Sequence, residues 1–330
     1  MPKHLVSVTG ASGRLGVPVV RALQKHFELL LLARDVAKAK KLFPGKKIVE
    51  IDLETAGVAE IQAAIKGSWA VVNLAGLVDL VASREKLFSI NYEATAKVVK
   101  ACEREHVPFF VHCSSISVYA DSNSEISEDA KLAPTTVYGE SKLAAEKFVI
   151  SSTLNWVVLR PGIIYGPHFQ EGFVGLIEQM KKGRAAIIGN GDNRVPLVYE
   201  GDVATVFLKC LQLLRRGNKH ILRQAFNVVS EKEPTQNQAL DLLAKTFILP
   251  TLKKHISLPV ALTLARLYSI YCALTGKTNR FSPEYVSLLA RNRQYDTNKA
   301  KKIIKIKCGT SLEKGLGEIK RAWIENRIAN

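Results

Sequence analysis

A short apolar run, Leu5-Val6-Ser7-Val8, passes through Thr9-Gly10-Ala11-Ser12-Gly13-Arg14-Leu15-Gly16 into a stretch, Leu15 to His26, whose apolar residues recur at helical spacing. A strand joined to a helix by a glycine-rich turn aims backbone N–H groups at a pyrophosphate, and the helix N-terminus adds a favourable dipole. The alternation continues, with strand-like runs near 4 to 9, 28 to 33, 48 to 51, 69 to 75, 108 to 113 and 154 to 160 and helical patterns between them. Repeated βαβ units require a parallel sheet covered on both faces, with ligands at the carboxyl ends of its strands. The expected fold class is therefore α/β, a Rossmann-type doubly wound parallel sheet.

From about residue 167 the rhythm breaks into helical patterns at 172 to 182, 201 to 215, 235 to 247, 257 to 274 and 283 to 291, with short strands near 186 and 226. This divides the chain into a dinucleotide-binding domain, 1–166, and a smaller, mostly helical C-terminal lobe, 167–330. The boundary is soft, because Gln224 to Val229 reads as a strand returning to the main sheet.

The chain has 330 residues, 47% of them hydrophobic, enough for a large core. Its five cysteines are scattered without a C-x-x-C pair, so neither a metal site nor a disulfide framework is expected, and a reducing cytoplasm fits. Residues 1 to 9 run straight into the first strand, leaving no room for a cleavable signal peptide. The net charge is +17, and residues 251 to 330 hold 16 Lys or Arg against 5 Asp or Glu. A solvated basic face, an anionic membrane surface or a phosphate-bearing substrate each accounts for that bias. Nucleic acid does not fit, since no recognition motif accompanies the charge.

Tyr138 and Lys142, in Tyr138-Gly139-Glu140-Ser141-Lys142, stand four apart, so a helix puts phenol and ammonium on one face. A cation there stabilises a phenolate that otherwise forms only near pH ~10. Such a pair arises often by chance on solvated helices; here a serine pair, Ser114-Ser115, and the glycine-rich turn precede it.

In order and spacing these motifs resemble the extended short-chain dehydrogenase/reductase family, also described as the NAD-dependent epimerase/dehydratase superfamily. Further matches are Asp52-Leu53, Asn73-Leu74-Ala75-Gly76, Asn91 in Ser89-Ile90-Asn91-Tyr92, Arg160-Pro161-Gly162-Ile163-Ile164-Tyr165-Gly166 and Val198-Tyr199-Glu200-Gly201-Asp202. The resemblance implies an NAD(P)-dependent oxidoreductase. Tyr138 would be the general acid/base, Ser115 would hold the substrate oxygen, Lys142 would lower the tyrosine pKa and bond the nicotinamide ribose, and Asn91 would complete a proton relay. Ser115 rather than Ser114 is chosen because it stands four before Tyr119, as in the family's S-x-x-V-Y pattern. Gly10, Ser12, Gly13, Arg14, Leu15, Gly16, Asp52, Leu53, Leu74, Ala75, Gly76, Tyr138, Lys142, Pro161, Gly162, Ile163 and Ile164 would line the cofactor. Arg160 would lie beneath the nicotinamide. The lone histidines His112 and His168 read as packing or surface residues.

The second strand ends in Ala33-Arg34-Asp35, without the acidic residue that NAD enzymes of this fold usually place there for the ribose hydroxyls. Arg34, helped by Arg14, can pair with a 2′-phosphate, so NADP is expected; NAD is the alternative, with Asp35 as the ribose contact.

Sugar-nucleotide members of the family carry an arginine four before the tyrosine of the V-Y motif, but here that position is Val195, with Arg194 one residue away. The segment His255 to Leu274, led by Leu258-Pro259 and broken in charge only by Arg266, resembles instead the apolar helix of the 3β-hydroxysteroid and sterol 4-carboxylate dehydrogenase branch. The expectation is a buried or substrate-covering helix, with interfacial membrane contact left open. The expected reaction is hydride transfer between nicotinamide and a secondary alcohol or ketone of an apolar, steroid- or isoprenoid-like substrate. The alternatives are a nucleotide-sugar epimerase or dehydratase, and a non-catalytic NADP-binding regulator or assembly subunit. The resemblance also leaves open a homodimer through the helices around residues 85 to 105 and 136 to 150.

Overall fold

In the computed structural model, which describes residues 3–328 apart from 80, 123, 277, 278 and 280, the first half alternates strand and helix as the periodicity predicts. The elements are β1 (Leu5–Thr9), α1 (Gly16–Leu23), β2 (Glu28–Ala33), α2 (Val36–Leu42), β3 (Lys47–Glu50), α3 (Val58–Ala64) and β4 (Ala70–Asn73). They continue with α4 (Arg84–Phe88), α5 (Ala94–Arg104), β5 (Phe109–Cys113), α6 (Val137–Ser151) and β6 (Trp156–Pro161). A π-helical turn, Ser89–Glu93, joins α4 to α5. Then follow β7 (Ile163–Tyr165), α7 (Glu171–Lys181), β8 (Ile187–Ile188), β9 (Leu197–Tyr199), α8 (Glu200–Arg215) and β10 (Gln224–Val228). The chain ends in α9 (Gln236–Phe247), β11 (His255–Ile256), α10 (Leu258–Thr275), α11 (Pro283–Ala290), α12 (Asn298–Ile303) and α13 (Leu312–Ile328).

The main sheet has the order β3-β2-β1-β4-β5-β6-β10, and every neighbouring pair is parallel. Its strands read as near-continuous apolar runs because both faces are covered. One face packs α1 and α8, with Val17, Val20, Leu23, Phe207 and Leu211 among its buried residues. The other packs α3, α5 and α6 through Ile61, Ile65, Val98, Val99 and Val149. The strand order reverses between β1 and β4, so the crevice for a dinucleotide opens at their carboxyl ends.

The return to the main sheet is as expected: β10 adds alongside β6 in the register Gln224↔Val157 to Val228↔Pro161. The C-terminal lobe has its own core, in which Tyr165, Ile177, Met180, Leu243, Phe247 and Leu316 are buried. Two short parallel pairs, β7 with β9 and β8 with β11, flank it. Helix α10 departs from expectation. It starts at Pro259 in the first turn and stops at Gly276 in a left-handed conformation, but of its 18 residues only Ala261, Ala265 and Cys272 are buried. Buried it is not, because its large side chains point away from the lobe.

Candidate functional site

The β1–α1 turn fits the phosphate-cradling role on its own sterics. Gly10 has φ +64°, and a Cβ there would stand 2.8 Å from the Ala75 backbone nitrogen; at Gly13 it would stand 3.0 Å from the Gly10 carbonyl oxygen. A Cβ at Gly16 would collide with the same carbonyl, so the helix can approach the strand closely only without side chains. Ser12 is half-buried, Leu15 precedes α1 and packs on the core, and the exposed Arg14 lies over the Phe169 ring, 5.6 Å from its centroid.

The loop after β4 is fixed from below. The Thr9 hydroxyl donates to Asn73 Oδ1 (2.6 Å) and accepts from the backbone N–H of Leu74 and Ala75 (3.1 and 3.2 Å). This brings Leu74, Ala75 and Gly76 beside the glycine turn. The loop after β3 is similarly held: Asp52 accepts from Glu54 N (3.0 Å), and Lys86 bonds both carboxylate oxygens of Glu54, which lowers that carboxyl's pKa. Leu53 packs into the core beside it. Arg34 stands exposed at the end of β2, 3.9 Å from an Asp52 oxygen, and Asp35 is occupied as the N-cap of α2, accepting from Lys38 N at 2.8 Å.

Helix α6 begins with Thr136, whose hydroxyl accepts from Gly139 N (3.0 Å), and so carries Tyr138 and Lys142 in its first turns. Both are buried, as are Ser115 and Asn91. Burial pushes the Tyr138 phenol above its ordinary pKa, and a hydrogen bond with Ser115 opposes the shift. The sequence assigned that lowering to Lys142. In the structure the ammonium instead donates to the Cys113 carbonyl at 2.6 Å, and burial depresses the lysine pKa. Four residues of helix put the two groups on one face; where a flexible lysine ends is decided by the nearest carbonyl.

Asn91 sits in the π-helical turn, a distortion frequent at functional sites. Its Oδ1 accepts from Leu77 N (2.7 Å), and its amide donates to Leu77 O (3.0 Å) and Ser141 Oγ (2.9 Å). A Cβ placed on Gly76 would meet Asn91 Oδ1 at 3.1 Å and Lys142 Nζ at 3.8 Å, so all three converge. Asn91 is thus tied to the loop expected under the cofactor as well as to α6.

The two serines separate cleanly. Ser115 Oγ accepts from Ser117 N (3.1 Å) at the start of a 3-10 turn and faces Tyr138, whereas Ser114 Oγ turns inward and donates to Glu146 (2.5 Å). Glu146 belongs to a network that the sequence reading missed. Arg160, expected beneath the nicotinamide, is buried; it pairs with Glu146 through Nε (3.1 Å) and Nη2 (2.5 Å) and donates to the Tyr119 hydroxyl (2.5 Å) and the Glu128 carbonyl (3.0 Å). Tyr119 in turn donates to Asn227 on β10 (2.6 Å). The signal was the arginine inside an otherwise apolar strand, since a buried cation demands a carboxylate.

Pro161 is the buried last residue of β6, and Gly162 N donates to Val228 O (3.0 Å). Of the two isoleucines, Ile163 projects, exposed, and Ile164 packs against the core. His112 is fully buried beside Asn73 (3.2 Å), with a pKa driven well below the usual range by burial, and His168 bonds Glu200 (2.6 Å). Val195 packs in the lobe core and Arg194 donates to the Glu233 carbonyl (2.8 Å), so no bulge brings Arg194 to the position of Val195.

Residues 6–228 match the family described as NAD dependent epimerase/dehydratase. The sterol-4-alpha-carboxylate 3-dehydrogenase (decarboxylating) of Schizosaccharomyces pombe is 25% identical over 344 residues, covering 98% of each chain. The UDP-glucose 4-epimerase of Vibrio cholerae is 23% identical over 338 residues, covering 98% of this chain and 97% of that protein. Among solved structures, a UDP-glucuronic acid 4-epimerase from Bacillus cereus in complex with NAD superimposes with a TM-score of 0.76 at 19% identity, covering 98% of this chain and 99% of that one.

Proposed function

The chain belongs to the NAD dependent epimerase/dehydratase family, and from that premise we propose that it is a nicotinamide-dependent oxidoreductase acting on a secondary alcohol or ketone of an apolar substrate. The observation that carries the reading is the Ser115–Tyr138 pair, buried together at the carboxyl end of the sheet with Lys142 and Asn91 converging on Gly76. When bound, the nicotinamide supplies or accepts hydride at the carbon next to the substrate oxygen. The chain's own work is the proton. Tyr138, held protonated by burial, donates to a carbonyl oxygen as it becomes an alcohol, and Ser115 holds that oxygen in place. Lys142, anchored on the Cys113 carbonyl and converging with Asn91 on Gly76, would bond the nicotinamide ribose. In the oxidation direction the same groups run in reverse.

Gly10 to Gly16 would hold the pyrophosphate, and the Leu74 to Gly76 loop with Pro161, Gly162 and Ile163 would hold the rest of the dinucleotide. Titrated with NADPH and NADH, the wild type takes NADPH preferentially, and Arg34→Ala loses the preference. Two observations support this assignment: Asp35 is committed to capping α2, and Arg34 is exposed, 3.9 Å from an Asp52 oxygen. Equal or tighter NADH binding by the wild type overturns it.

The substrate reading rests on Val195, which offers no charge to a diphosphate. Tyr138→Phe tests the chemistry: turnover of a hydroxysteroid or ketone panel falls about 10²–10⁴-fold while dinucleotide affinity stays the same. Equal turnover by the variant removes Tyr138 from the mechanism. One feature favours a second reading, a nucleotide-sugar epimerase. Arg291 and Arg293 both pair with the single carboxylate of Asp121, which leaves excess positive charge near Thr135 and the start of α6. Protection of the protein by UDP in a thermal unfolding assay decides for that reading.

A further inference from the structure

Helix α10 has its size pattern inverted for a core helix. The residues it buries, Ala261, Ala265 and Cys272, form one narrow stripe of small side chains, and it packs on α11 beside Ile188. Its large apolar residues, Val260, Leu264, Leu267, Ile270 and Leu274, are 50% to 82% exposed. At about 100° of rotation per residue these five fall within an arc of about 120° facing away from the stripe, a ridge about 21 Å long.

The charge around the ridge is one-sided. From Leu242 to Pro283 the sequence holds six Lys or Arg and no Asp or Glu. Lys253, Lys254 and Arg266 are exposed, at the entry and in the middle of α10. A second copy of this chain fits such a surface badly, because a two-fold contact would bring like charges together in excess of the flanking carboxylates Asp241 and Glu284. An anionic lipid surface fits both halves of the pattern, acyl chains for the ridge and phosphates for the cations.

The attachment of α10 excludes a transmembrane span. Its small-residue stripe lies against the protein, and β11, one residue before it, is paired with β8 in the register His255↔Ile187 and Ile256↔Ile188. A helix so fastened on one side can expose only the other side to lipid. Its return helix ends near the catalytic corner: Arg291, just after α11, donates to Thr135 Oγ1 (2.7 Å), next to the residue that caps α6.

We propose that α10 is a monotopic docking helix that lies in the plane of an anionic bilayer, with Val260, Leu264, Leu267, Ile270 and Leu274 among the acyl chains and Lys253, Lys254 and Arg266 at the headgroups. The attachment is independent of the reaction assigned above and holds for any substrate. The full-length protein is floated with vesicles of phosphatidylcholine alone and of phosphatidylcholine with phosphatidylserine, at low and high salt. It floats with the phosphatidylserine vesicles, is depleted from them by salt, and is extracted by alkaline carbonate. The double variant Leu267→Glu, Ile270→Glu lowers partitioning about tenfold or more with an unchanged melting temperature, since both side chains are already in solvent. Failure of the wild type to float with phosphatidylserine vesicles overturns the proposal. Resistance to carbonate also overturns it, in favour of a span. So does a wild-type dimer in vesicle-free solution that the same variant dissociates, in favour of a second copy.

Discussion

Strand β2 of the sheet domain and helix α10 are both predominantly apolar runs, yet they use those residues in opposite ways. Leu31 of β2 is buried completely between helix layers, whereas Leu267 of α10 is 59% exposed. Charges are inverted in the same sense. The sheet domain buries Arg160 against Glu146, while the α10–α11 hairpin and the segment leading into it keep Arg266, Lys253 and Lys254 outside. Hydrophobic periodicity therefore reports that a face seeks an apolar neighbour, not that the neighbour lies within the same chain.

The contrast breaks hardest at the buried ion pair. Arg160→Ala strands Glu146 beneath β6 and costs about 3–5 kcal/mol, read as a lower denaturant midpoint. Replacing both partners with apolar residues of similar volume restores much of that loss. Next is Leu31→Ala, expected to cost about 2–5 kcal/mol by leaving a cavity.

Glu233 sharpens the comparison between the halves, because burial raises its pKa to about 7 in the folded lobe, from an ordinary value near 4.5. The folded chain therefore holds a proton that the unfolded chain has released, so Glu233 lowers stability as pH rises from about 4.5 to about 7. Glu233→Gln removes that slope and gains about 1–2 kcal/mol at neutral pH, visible as a flatter profile of melting temperature against pH. At the small end, Leu267→Ala changes stability by no more than about 0.5 kcal/mol. A larger loss means that α10 is packed in solution after all.

Most of the sheet was legible because parallel strands buried on both faces are written as local apolar runs, and β2, Glu-Leu-Leu-Leu-Leu-Ala, admits little else. The glycine turn was legible because its constraint is steric and local. Helices α12 and α13 were not predicted. Asn298–Ile303 is short and lysine-rich, and α13 buries Leu316 and Ile319 against α9, a partner distant in sequence. The Glu146–Arg160–Tyr119–Asn227 network escaped for the same reason, since its members span 108 residues from Tyr119 to Asn227. At the site, spacing located Tyr138 and Lys142 on one helix, but the ammonium's actual partner, the Cys113 carbonyl, belongs to a strand that spacing cannot see.

The addition of β10 to β6, and of α8 to α1, has a consequence for how the protein is made. A ribosome delivers β6 complete at Pro161 but must then synthesise the chain to Val228 before the sheet's last strand exists. Through that interval the growing polypeptide carries an open strand edge at β6 and an uncovered apolar face on α1. Such an unfinished sheet invites pairing with neighbouring chains. Soluble yield should then follow translation speed and chaperone supply across this stretch more closely than it follows the stability of the finished molecule.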